Sequence, residues 1–253
     1  MMQVKNLSLA VPGKPLCNKL SMEIQACQCW AILGANGAGK SSLLHALSGA
    51  MPASGGEVLL FDKPLFSYNA RQRARHIGIL FQEYQHAFYG TVWEYVLLGR
   101  YPHTSFTGKL TQQELESAEL AMASLGLRGF IERRFQTLSG GERQRARIAQ
   151  LLVQAPQLFF LDEPLQHLDL RHQQLVLERL KALAHSAQKA VVMVLHDALL
   201  AGRYCDHVLL LYEEGRVLLG PSKNMLTAAH LQELYQCPIS EVSLPGGNFF
   251  VPT

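Results

Sequence analysis

The chain lacks the features that would direct it into a bilayer, a secretory route or a nucleic-acid complex. Charged residues make up 17% of its 253 residues and the formal net charge is only +3, so electrostatics give no reason to expect nucleic acid as a partner. Apolar runs such as residues 190–195 are far shorter than the ~20 residues that cross a bilayer. No basic region followed by a long apolar run begins the chain, so we expect no secretory signal. If the protein works at a membrane, we expect another protein to span it.

Cysteine is also scarce, and its spacing matches neither a metal site nor a disulfide framework. Only Cys27 and Cys29 are close together, and their separation of two predicts side chains on one face of a strand. We therefore expect structural thiols in a reducing compartment. The five cysteines are Cys17, Cys27, Cys29, Cys205 and Cys237.

Short apolar runs alternate with helical patterns, which is typical of an α/β domain with a mostly parallel central sheet. Hydrophobic residues make up 48% of the chain, enough for a full core. We predict strands at residues 4–9, 16–24, 29–33, 57–61, 77–80, 158–161, 190–195 and 207–212. We predict helices at residues 41–47, 92–98, 112–125, 142–153, 168–184 and 198–204. Because residues 92–153 predict only helices, we expect an inserted helical subdomain.

The stretch GANGAGKS, residues 34–41, lies between a predicted buried strand and a predicted helix and matches GxxxxGK[ST] in full. Its glycines let backbone N–H groups turn toward phosphate oxygens, and the helix N-terminus adds partial positive charge. Lys40 is placed to reach the β and γ phosphates, and Ser41 to hold Mg²⁺. A glycine-rich turn is the alternative, but the order of strand, loop and helix favours a nucleoside triphosphate site. The predicted binding residues are Gly34, Ala35, Asn36, Gly37, Ala38, Gly39, Lys40, Ser41 and Ser42.

The stretch LFFLDEP, residues 158–164, is an apolar strand that ends in two adjacent carboxylates. Successive strand residues point in opposite directions, so Asp162 and Glu163 can have different roles. We predict that Asp162 supports the Mg²⁺ coordination sphere and that Glu163 orients or deprotonates the attacking water. Two acids at the start of a turn are the alternative. Beside a phosphate-binding loop, the pair favours hydrolysis.

Gln82 and His196 each follow a predicted strand of the same sheet. Such a residue is more often a local hydrogen-bonding group than a catalytic one. Ligands of parallel sheets, however, bind outside the carboxyl ends of the strands. Gln82 could contact Mg²⁺ and water there, and His196 could hydrogen-bond the γ-phosphate.

The motif LSGGERQ, residues 138–144, completes a set. The order of GANGAGKS, Gln82, LSGGERQ, LFFLDEP, LQHLD and His196 resembles the ATP-binding subunits of ABC transporters over nearly the whole chain. The resemblance implies ATP and Mg²⁺ as ligands. It also implies a RecA-like core with an antiparallel β part at residues 1–84 and 155–253, and a helical signature subdomain at residues 85–154.

The resemblance further implies that two copies of the chain enclose ATP. Ser139, Gly140 and Gly141 would then face the phosphate-binding loop of the second copy, and a serine hydroxyl with glycine N–H groups at a helix start suits an anion. Asp169 matches the loop that crosses the dimer in this family. The alternative role of Asp169 is the N-cap of the helix that follows.

Two stretches depart from the pattern of the family. Val11 stands near the position where many members stack adenine on an aromatic residue. The sequence PLQH, residues 164–167, replaces the more usual threonine or serine and small residues. We expect the side chain of His167 to face solvent.

The stretch from Glu83 to His103 follows Gln82. The resemblance to the ABC transporter family implies that this stretch forms the surface that accepts the membrane permease. TVWEYVLLGRYPH, residues 91–103, resembles importers of ferric siderophores, haem and cobalamin. FYGTVWEYVLLGR and LLVQAPQLFFLDEPLQHLDL place cobalamin slightly ahead of the iron chelates. The expected location is the cytoplasmic face of a bacterial inner membrane, peripheral through the permease, with a periplasmic binding protein as an indirect partner.

Other ATPase classes fit less well. A DNA-repair ATPase needs a long heptad-bearing insertion, which has no room between Ser41 and Leu138. A translation factor of this superfamily carries two ATPase units, and a P-loop kinase leaves LSGGERQ unexplained. An exporter ATPase and a soluble ATPase for iron–sulfur assembly remain as alternatives.

Overall fold

The computed structural model describes residues 1–11, 14–82, 88–104, 109–244 and 247–253. These form two compact units: Met1–Ser67 with Ala190–Thr253 is the first unit, and Tyr68–Lys189 is the second. The strands are β1 (Met2–Val11), β2 (Lys14–Ile24), β3 (Cys29–Gly34), β4 (Gly55–Leu60), β5 (Lys63–Pro64), β6 (Ile77–Leu80), β7 (Leu158–Leu161), β8 (Ala190–Val194), β9 (His207–Leu211), β10 (Val217–Pro221), β11 (Ile239–Leu244) and β12 (Gly247–Pro252). The α-helices are α1 (Lys40–Leu47), α2 (Ala70–His76), α3 (Val92–Leu97), α4 (Gln112–Ser124), α5 (Gly140–Gln154), α6 (Leu170–Ser186), α7 (Ala198–Tyr204), α8 (Ser222–Met225) and α9 (Ala228–Tyr235).

An antiparallel sheet in the first unit has the strand order β2-β1-β4-β5. The pairing of β1 with β4 shifts register between Lys5 and Ser8. Within that shift, Gly56 has φ +84°, and a Cβ there would lie 2.6 Å from the Leu7 Cα atom. The two backbones therefore approach so closely that only glycine fits at position 56.

A parallel sheet forms the core of the first unit. All six residues of β3 are buried, as expected for a strand covered on both faces. It pairs in parallel with β8 on one side and β9 on the other, and β10 is antiparallel to β9. The phosphate-binding loop therefore leaves the carboxyl end of a central strand.

The second unit combines parallel strands with helices. β6 and β7 pair in parallel, with Leu80 opposite Leu161 at their carboxyl ends. Helices α3 and α4 both pack against α5. Reciprocal capping boxes begin α2, α3, α4 and α5, each pairing a polar N-cap with Glu or Gln three residues later. These local signals explain why the helices begin where they do.

The α/β class, the antiparallel β part and the predicted strands are confirmed, whereas the placement of Cys27 is wrong. Cys27 lies exposed in a turn with φ +65°, and buried Cys29 begins β3, so the two do not share a strand face. Helices α2, α8 and α9 were not predicted from the sequence. None of the described helices has the length and hydropathy needed to span a bilayer. The subdomain boundaries at residues 84 and 155 stay a prediction.

Gly56→Ala is expected to lower the free energy of unfolding by about 2–4 kcal/mol, because it adds a left-handed backbone penalty to a steric clash. The matched control is Gly55→Ala, since a Cβ at Gly55 would have its nearest neighbour 4.0 Å away, at the Ser8 Cβ atom. Urea unfolding of both variants measures the difference. Equal stability of the two variants would contradict the close approach at position 56.

Candidate functional site

The phosphate-binding loop has the backbone shape that its glycines permit. Gly37 and Gly39 have φ values of +77° and +99°, which non-glycine residues adopt only with strain. A Cβ at Gly34 would lie 2.6 Å from the Leu211 carbonyl oxygen on β9. The loop therefore needs glycine at the end of β3 and again where it enters α1. Its N–H groups and the start of α1 form an anion site.

Lys40 is the first residue of α1, and its side chain is only 6% exposed. Its Nζ atom donates to the carbonyl oxygens of Gly34 at 2.9 Å and Ala35 at 3.0 Å. These bonds satisfy part of a buried ammonium and hold it inside the loop. Lys14 on β2 donates from Nζ to the Gly37 carbonyl oxygen at 3.1 Å. Two cations thus contact the backbone of the loop.

His196 leaves the sheet at the same edge as the loop. Ile32 on β3 lies opposite Val194 on β8, and the Leu195 N–H donates to the Ile32 carbonyl oxygen at 3.2 Å. Two residues beyond this pair come Gly34 and the exposed His196. The predicted position of His196 beside the loop therefore follows from the strand register.

The acidic pair of the second unit follows β7. Asp162 is only 1% exposed, and its N–H donates to the Leu80 carbonyl oxygen at 2.8 Å. Glu163 is half-buried, with φ +48°. Gln82 is exposed two residues after β6, level with Glu163 after β7. The pairing of β6 with β7 thus brings Gln82 and the acidic pair to one sheet edge, as predicted.

The predicted magnesium ligands have suitable donor chemistry. Mg²⁺ prefers oxygen ligands and usually keeps several waters beside one or two carboxylates and substrate phosphates. Ser41 offers a hydroxyl, Gln82 an amide oxygen and Asp162 a buried carboxylate. Among the described residues, no group of three or more His, Cys, Asp or Glu side chains is arranged to hold a metal. Each of these donors, taken by itself, is of a kind that Mg²⁺ binds together with phosphate and water.

Gln144, in the second turn of α5, holds the turn that contains the acidic pair. Its side chain is only 4% exposed, and Nε2 donates to the carbonyl oxygens of Glu163 at 3.3 Å and Pro164 at 3.1 Å. No role for Gln144 was predicted from the sequence. A glutamine on the buried face of an amphipathic helix was the available signal, because such an amide needs partners.

The signature turn packs directly against the segment that follows the acidic pair. A Cβ at Gly141 would lie 2.7 Å from the His167 carbonyl oxygen, and a Cβ at Gly140 would lie 3.2 Å from the His167 Cβ. His167 has φ +64°, and its side chain is exposed, as predicted. Packing within the chain therefore requires glycine at position 141, whereas a side chain at position 140 would crowd the side chain of His167.

Ser139 begins α5 and is exposed. Its hydroxyl accepts from the Glu142 N–H at 3.3 Å, and its own N–H donates to Glu142 Oε2 at 2.8 Å. This bond from the Ser139 N–H is the main reason that the pKa of Glu142 lies below its usual range, and Arg133 contributes as well. Glu142 is thereby kept as a carboxylate that caps α5.

A cavity of about 480 Å³ opens at the N-terminus of α5. Its lining includes three of the predicted ligand-binding residues and Asp169. Asp169 is the N-cap of α6, which is the alternative role predicted for it from the sequence. Arg145, only 7% exposed, lines the cavity and donates from Nη1 to the Leu125 carbonyl oxygen at 2.8 Å. Burial lowers the pKa of Arg145. The lining residues are Ser139, Gly140, Gly141, Glu142, Arg145, His167, Leu168, Asp169 and His172.

Residues 98–103, within the predicted permease surface, are attached to the C-terminal turn of α5. Arg100 Nη1 donates to the Val153 carbonyl oxygen at 3.2 Å, and His103 Nε2 contacts the Gln154 carbonyl oxygen at 2.9 Å. Burial and Arg100 lower the pKa of His103, which favours the neutral ring with a proton on Nε2. A Cβ at Gly99 would overlap the Gln150 carbonyl oxygen. This segment therefore caps the signature helix at its far end.

Two further elements hold the same segment. Arg100 forms an ion pair of 2.7 Å with Glu114 in the first turn of α4. The Thr111 N–H and Arg100 together lower the pKa of Glu114 to about 2. Arg75 on α2 donates to the Pro102 carbonyl oxygen at 2.9 Å. Tyr101 remains 76% exposed between these contacts. Residues 83–87 of the predicted surface lie outside the described residues.

Gln144→Met is expected to lower the free energy of unfolding by about 2 kcal/mol, because one buried and one part-buried carbonyl oxygen lose their donor while side-chain volume is nearly kept. The control Gln174→Met removes an exposed hydrogen bond between Gln174 Nε2 and Glu178 Oε1 on α6, and its expected effect is within about 0.5 kcal/mol. Denaturant unfolding measures both changes. A neutral Gln144→Met would show that these bonds do not hold the turn.

Comparison with known proteins shows which family the chain resembles. A family model for ABC transporters matches residues 17–166. The chain is 36% identical to the hemin import ATP-binding protein HmuV of Escherichia coli O157:H7, over 98% of this chain and 97% of the relative. It is 33% identical to the petrobactin import ATP-binding protein FpuD of Bacillus anthracis, over 99% and 93%.

A solved structure is similar over the whole chain. It is described as an inward-facing conformation of a metal-chelate type ABC transporter, with a TM-score of 0.84 and 29% identity, and the match covers 100% of this chain and 97% of that one. Because the family match and these likenesses extend over most of its length, the chain belongs to the ABC transporter family, in which it is an ATP-hydrolysing subunit.

Proposed function

We propose that this protein drives the import of a metal chelate by hydrolysing ATP between two copies of itself. One observation carries the proposal: a cavity lined by Ser139, Gly140 and Gly141 opens at the N-terminus of α5, a helix other than the one that the phosphate-binding loop precedes. A single nucleotide bound by the loop does not account for an exposed serine and two glycines at another helix start. A second copy that supplies its own nucleotide accounts for both sites.

The loop at residues 34–42 binds the phosphates of ATP in this proposal. The N–H groups of the loop and of the first turn of α1 surround the phosphate oxygens. Lys40 exchanges its contacts with the Gly34 and Ala35 carbonyl oxygens for contacts with the β and γ phosphates. Ser41, Gln82 and Asp162 would hold Mg²⁺, which supplies charge neutralisation to the phosphates when it is bound. Adenine does not find an aromatic side chain at Val11, which is 42% exposed.

Hydrolysis requires one group to orient water and others to stabilise the charge that develops. Glu163 accepts a proton as the water oxygen bonds to the γ-phosphorus and the bond to ADP breaks. Gln82 orients the water, and His196 donates a hydrogen bond to the γ-phosphate. Gln144 fixes the backbone from which the Glu163 side chain extends. The products are ADP and inorganic phosphate.

The second copy completes each site. Ser139, Gly140 and Gly141 of one copy contact the γ-phosphate bound by the other, and Asp169 contacts the loop across the dimer. ATP therefore holds two copies together, and hydrolysis removes the charge that bridges them. The cycle of closing and opening is the mechanical output of the ATPase.

The permease receives that output at residues 83–103. Within the described part of this stretch, Tyr89 and Tyr101 are 74% and 76% exposed. The hydrogen bonds of Arg100 and His103 connect the stretch to the last turn of α5. A membrane subunit seated on these tyrosines is thereby linked to the signature helix. The protein is peripheral to the cytoplasmic face of the membrane through this permease, and a periplasmic binding protein delivers cargo to the permease.

We infer haem or a ferric siderophore as the cargo. Two full-length relatives are named for hemin and petrobactin import, and the structural neighbour is described as a metal-chelate type transporter. Cobalamin, which two sequence segments favour, is the competing cargo. Since the chelate does not touch this subunit in the proposed scheme, uptake measurements and not the residues of this site identify the cargo.

Glu163→Gln is expected to reduce ATP turnover by about 100-fold or more while ATP still binds, because the amide cannot accept the proton. The variant should accumulate as an ATP-bound dimer in sedimentation velocity. Loss of ATP binding, measured by titration, would contradict the assigned role of Glu163.

Ser139→Arg is the matched control for the dimer. In the Glu163→Gln background it should leave ATP affinity within about twofold and abolish the ATP-bound dimer, because the bulky side chain fills the cavity. Equal loss of binding and dimer would place Ser139 in its own copy's nucleotide site.

Cells in which Glu163→Gln replaces the parent chain should lose uptake of ⁵⁵Fe-haem or a ⁵⁵Fe-siderophore by about tenfold or more, and retain ⁵⁷Co-cobalamin uptake. Unmodified cells grown in parallel provide the reference for each label. Loss of cobalamin uptake alone would identify a corrinoid as the cargo. Unchanged uptake of all three would overturn the importer assignment.

A further inference from the structure

Asp169 has one more hydrogen bond than its capping role requires. As the N-cap of α6, its Oδ1 atom accepts from the His172 N–H at 2.8 Å, which satisfies an otherwise unpaired backbone donor. The same Oδ1 atom also contacts His172 Nδ1 at 2.8 Å. An N-cap aspartate needs only the backbone donor, so the capping role does not explain the contact with the imidazole.

Two donors on one oxygen fix the orientation of the carboxylate. With Oδ1 held by the backbone and the ring of His172, rotation about the side-chain torsions of Asp169 breaks one bond or both. Oδ2 is then the oxygen available for a contact with another molecule. The Asp169 side chain is 66% exposed, whereas that of His172 is 26% exposed. The arrangement presents an oriented carboxylate at the surface.

Nδ1 donates in both charge states of the ring. The imidazolium carries protons on both nitrogens, and a neutral ring beside a carboxylate keeps its proton on Nδ1. The N–H and ring of His172 both lower the pKa of Asp169, with the backbone N–H contributing most, and Arg145 adds to the effect. Asp169 is therefore an acceptor for Nδ1 whether or not the ring is charged.

The pair lies beside the signature motif. His172 and Asp169 line the same cavity as Ser139 and Gly141. Leu170, the first residue of α6 and next to Asp169, is 82% exposed. An oriented carboxylate next to an exposed leucine is suited to a contact with a second copy of the chain, since the leucine would leave water there.

We propose that His172 is a positioning residue that holds the Asp169 carboxylate in the orientation required for the contact across the nucleotide-bound dimer. This inference rests on the dimer proposed above. His172 acts through Asp169 and does not touch nucleotide. Without the ring contact, the carboxylate samples other rotamers and closure of the dimer becomes less favourable.

Two substitutions at position 172 separate orientation from folding. His172→Leu removes the Nδ1 donor and keeps the backbone N–H that Asp169 caps. His172→Asn restores an N–H donor near the position of Nδ1. His185→Leu makes the same chemical change in the last turn of α6, where His185 is exposed.

In the Glu163→Gln background, His172→Leu is expected to weaken the ATP-dependent dimer about tenfold in sedimentation equilibrium. ATP affinity of the monomer and the thermal unfolding midpoint should stay at the parent values. His172→Asn should recover most of the dimer affinity, and His185→Leu should match the parent. Dimer affinity unchanged by His172→Leu, or lost equally in His172→Asn, would overturn the proposal.

A double-mutant cycle tests whether His172 acts through Asp169. Asp169→Ser keeps an N-cap residue but lacks a second carboxylate oxygen. If the inference holds, adding His172→Leu to Asp169→Ser changes the dimer affinity by less than about twofold. Additive effects would show that His172 acts independently of Asp169 and would overturn the inference. Failure of the Glu163→Gln parent to dimerise would instead overturn the proposed function.

Discussion

The hydrogen bonds from Gln144 to the carbonyl oxygens of Glu163 and Pro164 hold the turn that carries the acidic pair. The proposed chemistry of the second unit depends on the position of that turn. Glu163 and His167 both have positive φ values, and such non-glycine conformations cost about 1–3 kcal/mol each and persist only where the surrounding structure holds them. Gln144 holds the first, and the glycines of the signature turn lie against the second. The turn with the acidic pair and the signature turn are therefore one packed structure, and a shift of either one displaces the other.

The phosphate-binding loop and the proposed anion site at the signature turn are both built mainly from backbone, and this explains why composition carries so little information about function. The loop at residues 34–39 uses N–H groups shaped by positive φ values at Gly37 and Gly39, with buried Lys40 as its cation. The signature turn uses Ser139 and the start of α5. Neither site needs a surface of one charge sign. A net charge of +3 is thus compatible with a protein that binds a highly charged nucleotide.

The parts of the fold that were predicted correctly depend on interactions between residues close together in sequence. Each apolar run that was predicted to be a strand is a strand, whereas the helix predicted from residue 142 begins at Gly140. In the structure, capping boxes with Thr111 and Ser139 as N-caps mark the starts of α4 and α5. Cys27 was misplaced because it lies in a turn, with φ +65°, between the end of β2 and the start of β3. The partners of Gln144 and Gly99 could not be predicted, because they are carbonyl oxygens of residues distant in sequence, and any residue type supplies a carbonyl.

The two ends of α5 make it the structural link between the signature motif and the predicted permease surface. The helix has 15 residues, which corresponds to about 22 Å. Its N-terminus carries the motif, and its last carbonyl oxygens accept from Arg100 and His103. A cation at a helix C-terminus also interacts favourably with the helix dipole. Since Gly99 lies directly on the α5 backbone, residues 98–104 cannot move far without moving the helix or breaking these bonds. A force applied at exposed Tyr101 is therefore transmitted along a single rigid element to the turn that contacts nucleotide in the proposed dimer.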